Sequence, residues 1–509
     1  MLPYLSEVQN TSKKYTVAFK GINYGEGTQD GEFAETYNLS TDQYPCITQR
    51  AKRVMAGKYT LPTTLHAKGS LLVIDGADVI YGGTKVGEVT LGKKQIATIG
   101  NYIVIFPDKK YYKVPTEDDK DGTFGSMEET YTATGLVFTD STITTTGADF
   151  KFREGDAVLI TGCSNGANNK EPIIRSASAK KLTFDENEFT AGTESGSVTI
   201  KRRVPDLDFI CESNYRLWGT HGNTIYSSKF SDPLNFQVFD NLANDSYAIE
   251  VGSEGEFTGC IPYSSHICFF KENTLHKLYG TKPNNFQITT VNVYGVQSGS
   301  ERSMQIVNEQ LLYKGVGGVY SYTGGVPELI SEKFGNKRYS EAAACCDGEK
   351  YYISMKQGET WSMFSYDVIK NIWLREDDTQ AVDMTFYDGK VYFLDVRGGL
   401  YYIDKTADRN DIEWGATFCT LHETINERKG YSKFHLRMDL SAGAWLAVDI
   451  KTDNDLQWQQ VYTTHNEKAK TVSIPILPTR CDSIDIRLRG KGKCTIKAFI
   501  REFTVGSDV

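Results

Sequence analysis

The sequence lacks any segment that would place the protein in a membrane or send it through one. Its first residues, Met1 to Glu7, have neither the basic start nor the apolar core of a secretory signal peptide. No later segment approaches the roughly 18 consecutive apolar residues that a membrane-spanning helix requires. We therefore expect a soluble protein, made in the cytosol, without a membrane span.

The ten cysteines lack the spacing of a metal site or a redox motif. None forms a CxxC pair, and no histidine stands at zinc-ligand spacing from one. Several, such as Cys268 in the run from His266 to Phe270, occupy positions where a small apolar strand residue belongs. We expect buried free thiols in place of disulfides or zinc, and neither a bound metal nor a cofactor.

The sequence also lacks blocks of like charge. No run of five occurs, and the densest acidic stretch is Glu117-Asp118-Asp119. The 56 Lys and Arg are spread along a chain whose formal net charge is −9. Because sequence-independent binding to phosphates needs clustered cations, tight binding of nucleic acid is not expected.

Proline and methionine are scarce, and no stretch keeps a helical hydrophobic period over about 12 residues. By contrast, 30 Tyr, 25 Phe and 46 Gly suit many short strands joined by tight turns. At 509 residues the chain is too long for one ordinary core, so several domains are expected. The composition predicts an all-β protein.

The stretch from Ser213 to Phe239 shows the unit on which the chain is built. Arg216–Gly219 and Thr224–Ser228 are short β-prone runs joined by His-Gly-Asn, which predicts a hairpin. Ser231-Asp232-Pro233 is a turn in which proline presets φ, and Asn235–Phe239 is predicted to form a third strand. Strand, turn, strand, turn and strand make up most of one propeller blade.

The same order of elements recurs downstream. Further copies lie at His266–Ile288, Gln310–Tyr322, Lys350–Trp373 and Lys390–Asp404, and related strands precede the Trp218 unit at Ser70–Val89 and Asn101–Val114. Units spaced by roughly 40 to 50 residues, each with short strands and aromatic residues, are typical of a β-propeller. We predict a propeller of roughly six to eight blades.

The pattern divides the chain into five segments. They are an N-terminal arm and docking segment (1–60), the first propeller strands (61–127), an inserted small β-barrel or sandwich (128–204), the remainder of the propeller (205–412) and a C-terminal β-sandwich (413–509). The last segment alternates apolar and polar residues along several strands, as in Ser483–Leu488, which predicts one buried face. The first segment cannot bury much by itself, so we expect it to lie across the rest of the fold or across a neighbouring subunit.

An Asp-box-like hairpin and a group of carboxylates are candidates for catalysis. Ser354–Trp361 fits the Asp box of sialidase-like propellers, except that Lys356 replaces the aspartate, and such a box is a structural hairpin. Asp245, Glu250, Glu254 and Glu256 are close enough in sequence to suggest a glycosidase pair. The alternation of apolar and polar residues along a strand already explains these carboxylates as part of a solvent-exposed face.

Histidines and glycines give no better candidate. The seven histidines form neither HExxH nor a triad order, and His266 and His276 occupy equivalent positions of a hairpin. Gly315–Gly318 lacks the strand-to-helix context of a dinucleotide-binding loop. We predict no catalytic, cofactor-binding or metal-binding residues, and no enzyme.

The Trp218 unit carries a specific signature. Its residues are Arg216, Leu217, Trp218, Gly219, Tyr226, Asp232, Pro233 and Phe236. In order, they resemble the RLWG…TIYaS…DPxNF signature of bacteriophage tail structural proteins, the tail-hub or tail-nozzle (phage stabilisation) proteins of short-tailed phages. Tyr279–Phe286 and Asn38–Pro45 look similar to the same family. The layout matches over most of the chain, but only the Trp218 unit matches specifically.

The resemblance implies a virion protein that forms a ring of propeller subunits, commonly sixfold, below the portal and adaptor rings of the tail. Such a ring closes the channel of packaged DNA and opens for genome ejection. The implied partners are other copies of the chain, portal and adaptor proteins, tail fibres, and DNA only in transit. The implied location is the virion tail, after assembly in the host cytoplasm. An acidic chain suits such a channel, because like-charged walls do not bind phosphates.

Two other functions fit the same pattern. A distal tail or baseplate protein of a long-tailed phage would share this style of β-domain. A glycan-binding or glycan-hydrolysing propeller would use aromatic residues such as Tyr351, Tyr352, Tyr401 and Tyr402. It would also need convergent carboxylates, and a monomer or trimer in place of a closed ring.

Overall fold

The computed structural model describes residues 11–25, 29–117, 120–419, 427–453, 455–466, 468, 470–477 and 480–506. Within these ranges the chain forms strands and turns, and the helical pieces are four short 3-10 turns at Gly166–Asn168, Pro283–Asn285, Glu301–Ser303 and Glu332–Phe334. The prediction of an all-β chain is confirmed. No helix in this part of the chain is long and apolar enough to cross a membrane.

The chain divides into two compact units. The middle unit is Thr60–Glu301, and the terminal unit combines Met1–Tyr59 with Arg302–Val509. Among its described residues the middle unit has four antiparallel sheets of four strands each, which we number in chain order. They are sheet 1 (Pro62–Lys68, Ser70–Asp75, Asp78–Tyr81, Thr84–Glu88), sheet 2 (Gln95–Ile99, Tyr102–Phe106, Lys110–Lys113, Thr123–Ser126), sheet 3 (Phe209–Ser213, Arg216–His221, Thr224–Ser227, Tyr247–Glu250) and sheet 4 (Phe257–Tyr263, His266–Lys271, Thr274–Tyr279, Gln287–Asn292).

Consecutive sheets of the middle unit share their cores. Phe106 of sheet 2 and Leu217 of sheet 3 belong to one buried cluster. Trp218 of sheet 3 and Phe269 of sheet 4 belong to the next. Neighbouring positions of one strand therefore face different sheets, which explains why the central strands are apolar without alternation, as in Tyr102–Phe106.

The inserted module, residues 128–204, lies between sheets 2 and 3 in the chain. It has a three-stranded sheet (Thr130–Ala133, Val198–Arg202, Val158–Thr161) and a five-stranded sheet (Ser176–Ala177, Lys181–Thr183, Thr142–Thr144, Val137–Phe138, Gly192–Thr193). Both contribute to one core of its own, which includes Phe138, Ile160 and Leu182.

The terminal unit contains three more four-stranded sheets. They are sheet 5 (Gln305–Val307, Gln310–Gly315, Gly318–Tyr322, Glu328–Leu329), sheet 6 (Ser340–Cys346, Lys350–Gln357, Thr360–Asp367, Ile372–Asp377) and sheet 7 (Ala381–Tyr387, Lys390–Asp395, Gly399–Asp404, Lys52–Lys58). Sheets 5 and 6 share a core around Leu312 and Tyr351, and sheets 6 and 7 share one around Tyr352 and Phe393. The packing is of the same kind as in the middle unit.

The rest of the terminal unit is a two-sheet region, built from both ends of the described chain. One sheet contains Leu39–Ser40, Ile47–Gln49, Cys494–Gly506, Arg428–Leu440 and Thr471–Pro475, with Thr11–Thr16 and Arg480–Cys481 at its sides. The other contains Gly21–Ile22, Glu32–Tyr37, Glu413–Phe418, Ile484–Lys491, Trp445–Thr452 and Gln459–Thr464. Residues of both sheets, such as Phe434 and Leu488, form one large core. The described part of the 1–60 segment thus supplies strands to these sheets and to sheet 7.

Arg53 fixes the strand Lys52–Lys58 at the edge of sheet 7. The strand pairs antiparallel with Gly399–Asp404, far along the chain. The Arg53 side chain is only 10% exposed and forms ion pairs with Glu376 (2.7 Å) and Asp377 (2.6 Å) at the end of sheet 6. Burial alone would raise the pKa of Asp377, but the charges of Arg53 and Arg50 outweigh it and lower that pKa.

We expect Arg53→Ala to destabilise the protein by about 1.5–3 kcal/mol, because Glu376 and Asp377 lose their closest cationic partner and keep only the longer ion pairs with Arg50 (3.9 and 3.6 Å). Lys52→Ala is the matched control on the same strand: its ion pair with Asp411 is partly exposed, so the cost should stay below about 1 kcal/mol. Urea unfolding of both variants measures the difference. Equal stabilities would show that the buried ion pairs do not hold the strand.

The same ion pairs predict a dependence on pH. Since the pKa of Asp377 is lower in the folded protein than its ordinary 3.8, the stabilisation is complete above that value and is lost as the pH falls through the lowered pKa. Urea midpoints of the wild type should therefore fall below about pH 4. In Asp377→Asn this part of the fall should be absent, and an unchanged profile would contradict the assignment.

Candidate functional site

The signature residues lie in sheet 3 and in the loop after its third strand. The predicted hairpin is present, with strands Arg216–His221 and Thr224–Ser227. The predicted third strand at Asn235–Phe239 is wrong: this segment is an irregular loop, and Tyr247–Glu250 pairs with Thr224–Ser227 in its place.

Side chains satisfy the loop backbone, which is why Asn235–Phe239 needs no strand partner. The Ser246 hydroxyl accepts from the Val238 N–H and donates to the Asn235 carbonyl, each over 3.3 Å. These hydrogen bonds take the place of the backbone hydrogen bonds that a neighbouring strand would supply. We call residues 229–246 the signature loop.

The apolar signature residues are core. Leu217, Trp218 and Phe236 are fully buried, and Tyr226 packs against the core shared by sheets 2 and 3. The Trp218 ring makes an edge contact with Phe286 at a centroid distance of 5.1 Å. Their role is to join sheet 3 to its two neighbours.

Gly219 is required by close packing. A Cβ at this position would lie 2.7 Å from Leu207 Cδ1 and 2.9 Å from the Phe209 carbonyl oxygen. A larger residue would push sheet 3 away from the segment that leads into it.

Arg216 attaches the signature loop to sheet 3. Its guanidinium is buried and donates to the carbonyls of Ser228 (2.9 Å), Asp245 (2.5 Å) and Ala243 (2.9 Å). A guanidinium has several donors in one plane, so one side chain can hold both ends of the loop.

Asp232 forms the turn of the signature and also contacts the inserted module. Its carboxylate accepts from the Leu234 N–H (3.1 Å), the Asn235 amide (2.6 Å) and Arg153 Nη2 (2.9 Å), while Pro233 beside it is buried. Burial would raise the pKa of Asp232, but Arg153 and the hydrogen bonds lower it. Arg153 belongs to the inserted module, so the signature turn is one half of a contact between the module and sheet 3.

Two further polar contacts strengthen this joint. The Asn235 amide also donates to Asp156 of the module (3.0 Å), a fully buried carboxylate that accepts from Arg202 (2.6 Å). At the far end of the loop, Arg175 pairs with Asp240 (2.7 Å). No local sequence pattern predicts these pairs, because each joins residues that are about 65 to 79 positions apart.

The outer side of the signature loop and its hairpin exposes apolar side chains. Four are large and solvent-facing: Tyr215 (65% exposed), Phe230 (45%), Phe239 (51%) and Leu242 (57%). The rings of Tyr215 and Phe230 lie 5.8 Å apart, and Phe239 and Leu242 line a shallow cleft of about 290 Å³. We call these four residues the loop patch. Aromatic side chains are enriched in the cores of protein–protein interfaces.

The carboxylates considered for catalysis do not form a shared site. Asp245 is buried and accepts from the Leu242 N–H (2.9 Å) within the signature loop. Glu250, Glu254 and Glu256 are exposed. Asp245 therefore acts as a loop cap.

The other candidates are structural as well. Ser354–Trp361 spans the turn between two strands of sheet 6, and Lys356 pairs with Glu341 (3.2 Å). His276 is bonded to Ser253 and Thr290, and burial lowers its pKa to about 4.

The remaining expectations concern glycines, aromatics and cysteines. Gly315–Gly318 is a hairpin turn of sheet 5. Tyr351 and Tyr352, considered as exposed aromatics, are buried. None of the ten cysteines, all within the described residues, forms a disulfide, and eight are buried. Over the described residues, no three His, Cys, Asp or Glu side chains could hold a metal ion together.

Comparisons with known proteins add little. No protein-family model matches the sequence, and no curated protein is similar to it. Among solved structures the chain is similar to BamB from Moraxella catarrhalis (TM-score 0.36, 9% identity, 71% of this chain and 98% of that one). It is also similar to the computationally designed protein Ika8 (0.35, 11%, 69% and 98%) and to an exo-β-1,3-galactanase from Phanerochaete chrysosporium (0.23, 9%, 57% and 94%). Similarities this weak support no conclusion about function.

We expect Trp218→Ala to cost roughly 3 to 5 kcal/mol of folding stability, because it empties a large volume in the core between sheets 3 and 4. Tyr215→Ala, three residues away on the exposed loop patch, should change stability by less than about 0.5 kcal/mol. Denaturant unfolding of the two variants tests this. A Trp218→Ala protein with native stability and only a binding defect would mean that Trp218 belongs to a ligand site.

We expect Asp232→Asn combined with Asp240→Asn to loosen the inserted module, because both ion pairs between the module and the signature loop are lost. Limited trypsin digestion should then cleave faster at Arg202 and Arg203, where the module ends. Asp185→Asn is the control, since Asp185 also pairs with Arg175 but lies within the module. Equal cleavage rates in the double variant and the control would show that the loop does not hold the module.

Proposed function

We propose that the protein is a structural component of a bacteriophage virion, the tail hub or nozzle ring below the portal and adaptor. Its role there is to close the DNA channel and to permit genome ejection. The observation that carries the proposal is the signature from Arg216 to Phe236. Its residues resemble the signature sequence of this family and have a purely structural role in the fold. Arg216 and Asp232 hold a loop and an inserted module, and Trp218 fills a core.

The seven four-stranded sheets support a propeller architecture for this role. We take them as blades, which lies within the predicted range of six to eight. In each unit, sheets consecutive along the chain share cores, as blades do.

The loop patch supports assembly into a ring. A closed ring needs an apolar surface on every copy, and the patch supplies four large side chains for the contact between neighbouring copies. The proposed partners are therefore other copies of the chain, in a hexamer, together with portal and adaptor proteins and tail fibres. DNA passes through without being held, which suits the formal net charge of −9.

The test is the mass of the purified protein, alone and with portal and adaptor rings of the same phage, followed by negative-stain images. We expect a ring, either alone or on the portal end. A monomer or trimer that does not bind the portal ring would overturn the proposal.

Variants of the loop patch sharpen this test. We expect Phe230→Ser combined with Phe239→Ser to reduce the fraction of protein in rings by about tenfold or more, because apolar contact area is lost. Phe386→Ser is the matched control: Phe386 is exposed to a similar degree (46%) but lies on sheet 7. If the double variant still forms rings and Phe386→Ser does not, the contact between neighbouring copies lies at the surface around Phe386 and not at the loop patch.

A further inference from the structure

The two-sheet region presents a second surface, unrelated to the signature loop. In the strand Ile484–Lys491, residues 484, 486, 488 and 490 are buried, while Arg487 and Arg489 alternate with them on the outer face. Trp445 and Asp449, from the neighbouring strand, lie on the same face. Together with Trp458 these residues form what we call the tryptophan face.

A buried carboxylate organises the tryptophan face. Asp449 is 1% exposed and accepts from Arg487 Nε (2.9 Å) and Arg489 Nε (2.7 Å). Arg489 also donates to Gln460 (2.8 Å) on the edge strand. Both guanidiniums are held in place by these bonds, yet each keeps a third or more of its side-chain surface in solvent.

Each arginine also lies against a tryptophan ring. Arg487 is 4.5 Å from the centroid of Trp458, and Arg489 is 5.8 Å from that of Trp445. The side chains therefore follow one another as Trp445, Arg489, Asp449, Arg487 and Trp458. Trp458 is next to Gln459, which pairs with Ile450, so the row extends from the level of residue 445 to that of residue 450. At the rise of a β-strand this is about 17 Å.

The position of the tryptophans is unusual within the chain. Of its six tryptophans, Trp218, Trp373 and Trp414 are buried in cores. The other three are partly exposed, and two of these three lie on this face. A large ring kept at the surface beside fixed polar groups offers a flat apolar platform and a set of donors to a ligand.

The charge of the face points to an anionic ligand. Two arginines share the single carboxylate of Asp449, so the row carries one uncompensated positive charge. Lys451 adds another beside Trp458, with its ammonium 5.6 Å from the ring centroid. Among the described residues, the carboxylates near this face include Asp485, across from Lys451 in the strand register, and Glu413, which pairs with Lys491 (3.7 Å). They also include Asp455, whose pKa is lowered by hydrogen bonds from Thr452 and by the charge of Lys451.

We propose that the tryptophan face binds an anionic saccharide, a chain of sugars that carry carboxylates. Each of two sugar rings stacks on the indole face that the neighbouring arginine leaves open, and Arg487 and Arg489 donate to sugar carboxylates between them. Asp449 is a positioning residue that fixes both guanidiniums before the ligand arrives. The length of the row suits several sugar units in a line.

The test is titration of the full-length protein with oligomers of uronic acid. Isothermal titration calorimetry and tryptophan fluorescence measure the binding. We expect saturable binding that weakens as salt is raised, because part of the attraction is electrostatic. Maltooligosaccharides of equal length, which lack carboxylates, should bind about tenfold more weakly or not at all.

Variants separate the tryptophan face from the rest of the molecule. We expect Trp458→Ala and Arg487→Gln each to weaken uronate binding by about tenfold or more, while Trp361→Ala, which removes the remaining partly exposed tryptophan, should leave binding unchanged. Arg487→Lys should give an intermediate affinity, because it keeps the charge and loses the planar fork. Circular dichroism checks that each variant is folded.

Three results would overturn the proposal. One is the absence of uronate binding at millimolar concentration in the wild type. Another is equal binding of poly-glutamate at the same charge, since the face would then recognise charge alone. The third is an unchanged affinity in both folded Trp458→Ala and folded Arg487→Gln.

Discussion

The terminal unit depends on one constraint: sheets built from distant segments need partners for the polar backbone at their edges. Sheet 7 obtains its fourth strand from residues 52–58, and the two-sheet region obtains strands from residues 11–49. The ion pairs of Arg53 with Glu376 and Asp377 fix this arrangement in a buried place, where an unpaired charge would be costly. The strands supplied by residues 11–49 also contribute apolar side chains, such as Phe33 and Leu39, to the large core of the two-sheet region.

Buried guanidiniums recur wherever the fold must hold a loop or an added segment. Arg216 ties the signature loop to sheet 3, and Arg202 meets Asp156 at the base of the inserted module. Arginine suits these places because its fixed fork of donors satisfies several acceptors at once and stays charged when buried. The proposed functions use the surfaces that this scaffold leaves exposed, the loop patch in one unit and the tryptophan face in the other.

The sequence predicted what depends on local pattern and missed what depends on distant partners. Short aromatic runs between glycine turns predicted the hairpins of sheets 3 to 7, and the burial of Trp218 fits the core role expected of it. Asn235–Phe239 was misassigned because Ser246 satisfies the loop backbone, which no local pattern reveals. The pair of Arg153 with Asp232 could not be foreseen either, since each residue alone is an ordinary turn residue. The same holds for the tryptophan face, which forms only when three strands are aligned.

The origin of the last strand in sheet 7 also has a consequence for biosynthesis. Lys58 and its hydrogen-bond partner Arg397 are 339 positions apart, so at about 5–20 residues per second a ribosome needs roughly 17–70 s to supply the partner. During that time the middle unit, which is continuous in the chain, can complete its sheets. The segments that precede it must wait with open strand edges, which are prone to pair with other chains. Residues 52–58 are thus made long before their partners in sheet 7, and the shielding of their strand edges during translation is part of what the cell must provide.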